Sequence, residues 1–111
     1  MVDGLWTVEF EGIPNLLGGG IVFLLQNHLY GGDSQYFYTG LYDIRGDAIK
    51  AMVHVTAFVA APETVFGTNE RQFSLELTGT LRERQITGTA TRPDNPNLRI
   101  RVALTKRSEL P

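Results

Sequence analysis

The sequence is dominated by stretches in which apolar and polar residues alternate one by one. In residues 6–10, Trp, Val and Phe are separated by Thr and Glu, and residues 72–81 and 98–105 repeat this pattern. A period of two is typical of strands with one dry face and one wet face. No segment shows the roughly 10–12 residues of 3.6-residue periodicity that a crossover helix requires. The pattern therefore predicts an antiparallel, all-β fold.

The alternating segments are short and follow one another closely. We expect eight strands, at residues 6–10, 20–25, 28–31, 35–43, 48–59, 72–81, 86–91 and 98–105. Eight sequential antiparallel strands can close into an up-and-down β-barrel, which leaves no sheet edge exposed. A two-sheet sandwich is the alternative. At most one short helical turn is expected, in the break at residues 60–69.

The bulk properties limit the class of protein. A chain of 111 residues corresponds to one domain, and residues 108–111 are expected to be a frayed tail. The net charge of −2 gives no electrostatic footprint for direct nucleic-acid binding. The absence of cysteine excludes a disulfide scaffold. No signal peptide is visible and the longest apolar run, residues 21–25, is too short to span a membrane, so a cytoplasmic protein is predicted.

Catalytic and metal-binding patterns are weak. His28 and His54 are the only histidines, and no carboxylate lies at ligand spacing on the same strand face, so no metal site is expected. Ser34, His54 and Asp43 can be combined on paper into a nucleophilic triad, but their spacing does not select them. The glycines at 18–20 are not followed by the Lys-Ser/Thr pair of a phosphate loop. The sequence therefore predicts a protein that is not an enzyme and uses no cofactor.

A row of tyrosines marks a candidate binding surface. Tyr36, Tyr38 and Tyr42 share one face of the fourth predicted strand. They can line a cavity, form an outward interface, or make a cross-strand aromatic ladder that stabilises the sheet. The opposite face, with Phe37 and Leu41, is also apolar, so the pattern does not show which face points inward.

Two further features suggest a small apolar ligand inside the barrel. The longest predicted strand, residues 48–59, has small apolar residues on one face, including Ala51, Val53 and Val55. Small inward residues leave room in a barrel of this size, which either fills with side chains or holds one ligand. Phe66 lies at an apolar loop tip and is a candidate lid, plug or subunit contact.

Several segments together resemble a known family. A turn is predicted at Gly31, Gly32, Asp33 and Ser34, and this is the best marker. The chain resembles the GrlR-type negative regulators of type III secretion from Asp3 to about Leu104, and the matching segments are Asp3-Gly4-Leu5-Trp6, Gly20-Ile21-Val22, Leu29-Tyr30-Gly31-Gly32-Asp33-Ser34, Tyr38-Thr39-Gly40-Leu41-Tyr42, Val65-Phe66-Gly67, Leu75-Glu76-Leu77-Thr78-Gly79 and Ile86-Thr87-Gly88-Thr89.

The resemblance implies a lipocalin-like barrel with an apolar cavity, present as a homodimer. It also implies a regulator that sequesters a transcriptional activator and does not touch DNA itself. The family's named regulator has a run of acidic residues in a surface turn that matches residues 43–47. Here that candidate partner-docking turn carries Asp43, Arg45 and Asp47. An arginine interrupts the carboxylates, so either the partner differs or the barrel has another role.

Overall fold

A computed structural model of the protein describes residues 2–12 and 17–111. The described residues form eight strands and no helix. Each strand pairs antiparallel with the next, and the last pairs with the first, so the sheet is a closed barrel. The predicted eight-stranded up-and-down barrel is confirmed, and the sandwich is excluded. The strands are β1 Gly4–Glu11, β2 Leu17–Leu25, β3 His28–Gly32, β4 Tyr36–Arg45, β5 Ala48–Ala57, β6 Gln72–Arg82, β7 Gln85–Arg92 and β8 Asn95–Ser108.

One end of the barrel, here called the closed end, carries three two-residue turns at 26–27, 46–47 and 83–84. Gln26 and Asn27 have φ values of 50° and 70°, the left-handed pair that suits the twist of a hairpin. The Asn27 side chain donates to the carbonyl of Tyr42 at 3.1 Å, which fixes the turn against β4.

The closed end is filled by large side chains. Trp6, Leu24 and Ile86 are almost completely buried there. The indole nitrogen of Trp6 donates to the carbonyl of Val2 at 2.9 Å, so the aromatic side chain has no unsatisfied donor. The opposite end, here called the open end, carries the turns at 33–35 and 93–94 and the long connection at 58–71.

The predicted turn at 31–34 is partly wrong. Gly31 and Gly32 belong to β3, and the turn begins at Asp33. A Cβ atom on Gly31 would overlap the carbonyl oxygen of Ile21 on β2. Glycine is therefore required because two backbones approach closely and not because the chain needs a positive φ.

Other strand boundaries also differ from the prediction. The sequence predicts a glycine-rich connection at residues 15–20. The glycines at 18–20 belong instead to β2, and residues 15 and 16 lie outside the described residues. β5 ends at Ala57, and β8, with 14 residues, is the longest strand. β8 begins early because the connection from β7 uses only Pro93 and Asp94. Ser108, expected in a frayed tail, pairs with Leu5.

Candidate functional site

The structure shows which face of β4 points inward. Tyr36 and Tyr42 are buried and Tyr38 is half-buried, whereas Phe37 and Leu41 on the other face are 44% and 59% exposed. The tyrosine row therefore faces the barrel interior. The three tyrosines lie at different levels of the interior, since Tyr36 and Tyr38 are towards the open end and Tyr42 is at the closed end. There the Tyr42 hydroxyl contacts Asp3 at 3.2 Å.

A cavity of about 330 Å³ runs from the middle of the barrel to the open end. Among the predicted site residues, Tyr36, Tyr38, Val53 and Val55 line it. Ala51 faces inward but pairs with Tyr42 and Leu77 and is not part of the lining. The rest of the wall is mainly aliphatic and aromatic, contributed by Val8, Phe10, Val22, Leu29, Phe73, Leu75, Leu77, Ala90, Ile100, Val102 and Leu104.

The connection at residues 58–71, here called the cover loop, folds over the open end. A Cβ atom on Gly12, after β1, would overlap the carbonyl oxygen of Val65, so the loop reaches across the barrel from β5. Phe66 is buried and meets the Phe73 ring edge-on, with ring centres 6.1 Å apart. Phe66 thus packs against Phe73 and is not among the residues that line the cavity.

Arg92, at the end of β7, holds the cover loop against the barrel. The sequence did not reveal this role. The Arg92 side chain is only 5% exposed, and the guanidinium lies 4.8 Å from the centre of the Phe73 ring. Nη1 contacts Glu70 of the cover loop at 2.9 Å, and Nη2 contacts Asp94 at 2.6 Å. A buried cation requires such partners. The spacing Arg92-Pro93-Asp94 at a turn was the one available signal; the pairing with Glu70 depends on the folded loop.

The turn after β3 is held by Asp33. Its Oδ1 accepts the backbone N–H groups of Gln35 and Tyr36, each at 2.8 Å. Its Oδ2 accepts a short hydrogen bond from the hydroxyl of Tyr38. Burial, together with this bond to a carboxylate, raises the pKa of Tyr38 far above its ordinary value, so the phenol stays protonated.

Four hydrogen bonds join this turn and β4 to the cover loop, and one of them runs from the Phe58 N–H to the Gln35 carbonyl at 2.9 Å. Gln35 makes two of them with Glu63, since its Nε2 donates to the Glu63 carbonyl at 3.2 Å and its Oε1 accepts the Glu63 N–H at 2.9 Å. The hydroxyl of Tyr36 donates to the carbonyl of Glu70 at 2.9 Å. The loop is thus fastened along its length, and opening it would break several bonds together.

The residues of the hypothetical triad are not brought together. Ser34 lies in the open-end turn, whereas His54 is on the outer wall, where its Nδ1 contacts Ser74 Oγ at 3.1 Å. Asp43 pairs with Lys50, four positions along β5 from His54, which is about 13 Å at strand spacing. Within residues 2–12 and 17–111 no group of three His, Cys, Asp or Glu residues is arranged to hold a metal ion.

The candidate docking turn at 43–47 lies at the closed end, away from the cover loop. Arg45 contacts Asp43 at 3.2 Å, and the two side chains are 89% and 64% exposed. Such an exposed pair contributes little to stability. It does reduce the negative charge of the turn, because Asp47 is then the carboxylate without this arginine contact.

The outer wall of β2–β5 exposes large apolar side chains and is here called the outer apolar face. Cross-strand neighbours make it continuous, since Phe23 lies opposite Tyr30 and Leu41 lies opposite Met52. Tyr30 lies opposite Thr39 and is therefore a diagonal neighbour of Leu41. Its members, each more than 40% exposed, are Ile21, Phe23, Leu25, Tyr30, Phe37, Leu41 and Met52, with Phe58 at the margin. An exposed patch of this extent is typical of an interaction surface.

No protein-family model matches this chain, and no curated protein is significantly similar to it. In the part of the chain that the structure describes, no helix has the length and apolar character needed to cross a membrane. Function is therefore inferred from the cavity and from the outer apolar face.

Proposed function

We propose that the protein is a non-enzymatic barrel that binds a small apolar molecule in its cavity. The observation that carries this proposal is the space of about 330 Å³ behind the cover loop, with walls that are mainly aliphatic and aromatic. This volume lies at the lower end of the range for ligand pockets. On the basis of about 30 Å³ for a group the size of a water molecule, the cavity accommodates about ten such groups, which are close in size to methylene groups.

The expected affinity follows from the apolar surface area that such a ligand buries against the cavity wall. Burial of about 250 Å² of apolar surface contributes about 6 kcal/mol, before the cost of association. Dissociation constants no tighter than about 40 µM, and nearer about 1 mM once that cost is subtracted, are therefore expected for simple apolar compounds. A natural ligand with polar groups matched to the open end binds more tightly.

A fluorescence titration with the uncharged probe N-phenyl-1-naphthylamine tests this function. The wild-type protein should give a saturable rise in emission with one site per chain. Val53→Phe adds a ring inside the cavity and should weaken binding at least tenfold. Thr78→Phe adds the same ring to the exposed outer face of β6 and should leave binding unchanged. Equal binding by wild type and Val53→Phe would place the probe elsewhere and reject the proposal.

A second candidate function is regulation by protein contact, which the outer apolar face supports. Its members expose on the order of 600 Å² together, taking about 80 Å² for each side chain, and a stable interface uses about 800 Å² per partner. We propose that this face pairs with a second copy of the chain to form a homodimer. The resemblance to GrlR-type regulators adds that such a dimer, in the cytoplasm, sequesters a transcriptional activator of type III secretion.

Sedimentation velocity separates this candidate from the first. Leu41→Lys places a charge in the middle of the outer apolar face, where the native side chain is 59% exposed. The wild type should sediment as a dimer at about 50 µM and Leu41→Lys as a monomer. Ala103→Lys, on the exposed outer side of β8, is the matched control and should remain dimeric. A monomeric wild type at that concentration would contradict the homodimer.

A further inference from the structure

The polar groups of the cavity lie at its open end and include two carboxylates. Asp33 and Glu63 line the mouth, and no Lys, Arg or His side chain of the described residues lines the cavity. All other polar lining residues are uncharged at neutral pH. A ligand that enters with its apolar body first therefore leaves its head group beside negative charge.

The nearby cations do not reverse this sign. Arg92 lies behind Phe73 and is paired with both Glu70 and Asp94, so that group carries one net negative charge. Arg71 donates to the carbonyls of the cover loop at Val59, at 2.8 Å, and at Ala60. With Asp33 and Glu63 added, these six side chains sum to −2.

The two phenol donors at the mouth are already used. The hydroxyl of Tyr38 donates to Asp33, and the hydroxyl of Tyr36 donates to the carbonyl of Glu70. A phenol has one hydrogen to donate, so neither can offer it to a carboxylate or phosphate on a ligand.

The amide of Gln35 has two N–H hydrogens, and its Nε2 donates one of them to the Glu63 carbonyl, so one N–H is left. The carboxylates, by contrast, have lone pairs left. Each carboxylate offers about four acceptor sites, and Asp33 uses three of them, for two backbone N–H groups and one phenol. Apart from the exposed hydroxyl of Ser34 and the second N–H of Gln35, the side chains at the mouth thus offer acceptors, which suit a head group that donates hydrogen bonds.

We propose that the cavity selects an amphiphile with an apolar body of about ten carbon atoms and a protonated amine head, and discriminates against carboxylate heads. The body fills the barrel, and the ammonium group donates to Asp33 and Glu63 at the open end. This inference rests on the proposed small-molecule function and specifies its ligand class. Charge-assisted hydrogen bonds of this kind are about twice as strong as neutral ones.

Three ten-carbon probes with different head groups test the selectivity. Isothermal titration calorimetry of the wild type at pH 7.5 measures the binding of 1-decylamine, 1-decanol and decanoate, each below its aggregation concentration. The three probes carry a cationic, a neutral and an anionic head group on the same ten-carbon alkyl chain. We expect 1-decylamine to bind at least tenfold more tightly than decanoate, with 1-decanol between them. The preference should shrink as salt is raised from 20 to 500 mM, because the mouth is open to solvent.

Two isosteric variants assign the preference to the mouth. Glu63→Gln and Asp33→Asn each remove one charge, and the asparagine side chain of the latter keeps an oxygen that can accept the backbone bonds of the turn. Each should reduce the ratio of amine to carboxylate affinity about threefold or more. Asp47→Asn at the closed end and Glu76→Gln on the outer wall are matched controls that should leave the ratio unchanged. If Asp33→Asn does not fold, Glu63→Gln alone still tests whether the mouth carboxylates cause the amine preference.

The outcomes separate the two proposals. Binding of all three probes with equal affinity, or tighter binding of decanoate, overturns the amine preference and leaves the apolar cavity function standing. An amine preference that Glu63→Gln does not reduce, in a folded protein, also overturns the assignment to the mouth. Failure of all three probes to bind rejects the cavity function and this inference with it.

Discussion

The guanidinium of Arg92 lies 4.8 Å from the centre of the Phe73 ring and is covered by Phe66, whose ring centre is 5.9 Å away. A charge is thus buried at the point where the cover loop meets the barrel. It is compensated by Glu70 and Asp94. This relationship makes closure of the cavity depend on one cation from β7.

Arg92→Met should loosen the cover loop while leaving the barrel folded. Methionine keeps the apolar volume over the rings but removes the ion pairs. Glu70 and Asp94 are 39% and 63% exposed and can be hydrated, so we expect a loss of about 1–3 kcal/mol in the free energy of unfolding. Urea unfolding measures this, and limited proteolysis should cut within 58–71. Arg99→Met, at an exposed site on β8, should have neither effect.

The same contacts predict weakening in acid. The hydroxyl of Thr68 and the guanidinium of Arg92 hold the pKa of Glu70 below its usual value although burial opposes this, and Arg92 also lowers the pKa of Asp94. A carboxyl group with a lowered folded-state pKa stabilises the fold fully above its unfolded-state pKa, near 4, and this contribution is lost as pH falls further.

Urea unfolding of the wild type and of Glu70→Gln at pH 7, 4 and 3 measures this effect. The difference in stability between the two proteins should be largest at pH 7 and should diminish below pH 4. A difference that stays constant over this range would show that the charge of Glu70 does not stabilise the loop.

The inward tyrosines predict an alkaline limit of stability. Burial is the main cause that raises the pKa of Tyr36, Tyr38 and Tyr42. Because the folded-state values are raised, this stability is complete below the unfolded-state value near 10 and is lost as pH rises above it. Absorbance at 295 nm should show these three phenols ionising together with unfolding. Full titration by pH 10.5 in a protein with native circular dichroism would contradict this.

Two glycines should differ sharply when replaced by alanine. Gly31→Ala places a methyl group against the backbone of β2 and should cost at least about 3 kcal/mol or prevent folding. Gly46 has a φ of 63° in an open turn with no atom near a Cβ position, so Gly46→Ala should cost only about 1 kcal/mol. Thermal and urea unfolding compare them. Equal losses would show that the close approach of β2 and β3 is not rigid.

The sequence was sufficient for the strand count, because most of the segments show a period of two, and it favoured the closed barrel over the sandwich. Of the candidate cavity residues on β5, Val53 and Val55 line the wall and Ala51 does not. The sequence did not show which face of β4 points inward, since Tyr36 and Phe37 are equally compatible with a core. Only closure of the sheet, with β5 and β3 as neighbours, determines that choice.

The parts that the sequence missed depend on contacts between distant segments. Gly31 is typical of a turn as well as of a close strand approach, and the register of β2 against β3 distinguishes the two. Arg92 and Glu70 are far apart in the chain and meet only after the cover loop folds. The positions of Phe66 and Arg92 result from the folding of the cover loop, and no local sequence pattern predicts them.

Methyl-labelled nuclear magnetic resonance spectroscopy, with 1-decylamine as the added compound, tests the central claim most directly. The methyl groups of Val53, Leu75 and Val102 line the cavity, whereas Ile21 and Leu41 report on the outer apolar face of the same protein. The account predicts saturable shifts in the cavity methyl groups and none on the outer face. Shifts confined to the outer face, or no shifts at all at millimolar concentration, would contradict a binding cavity.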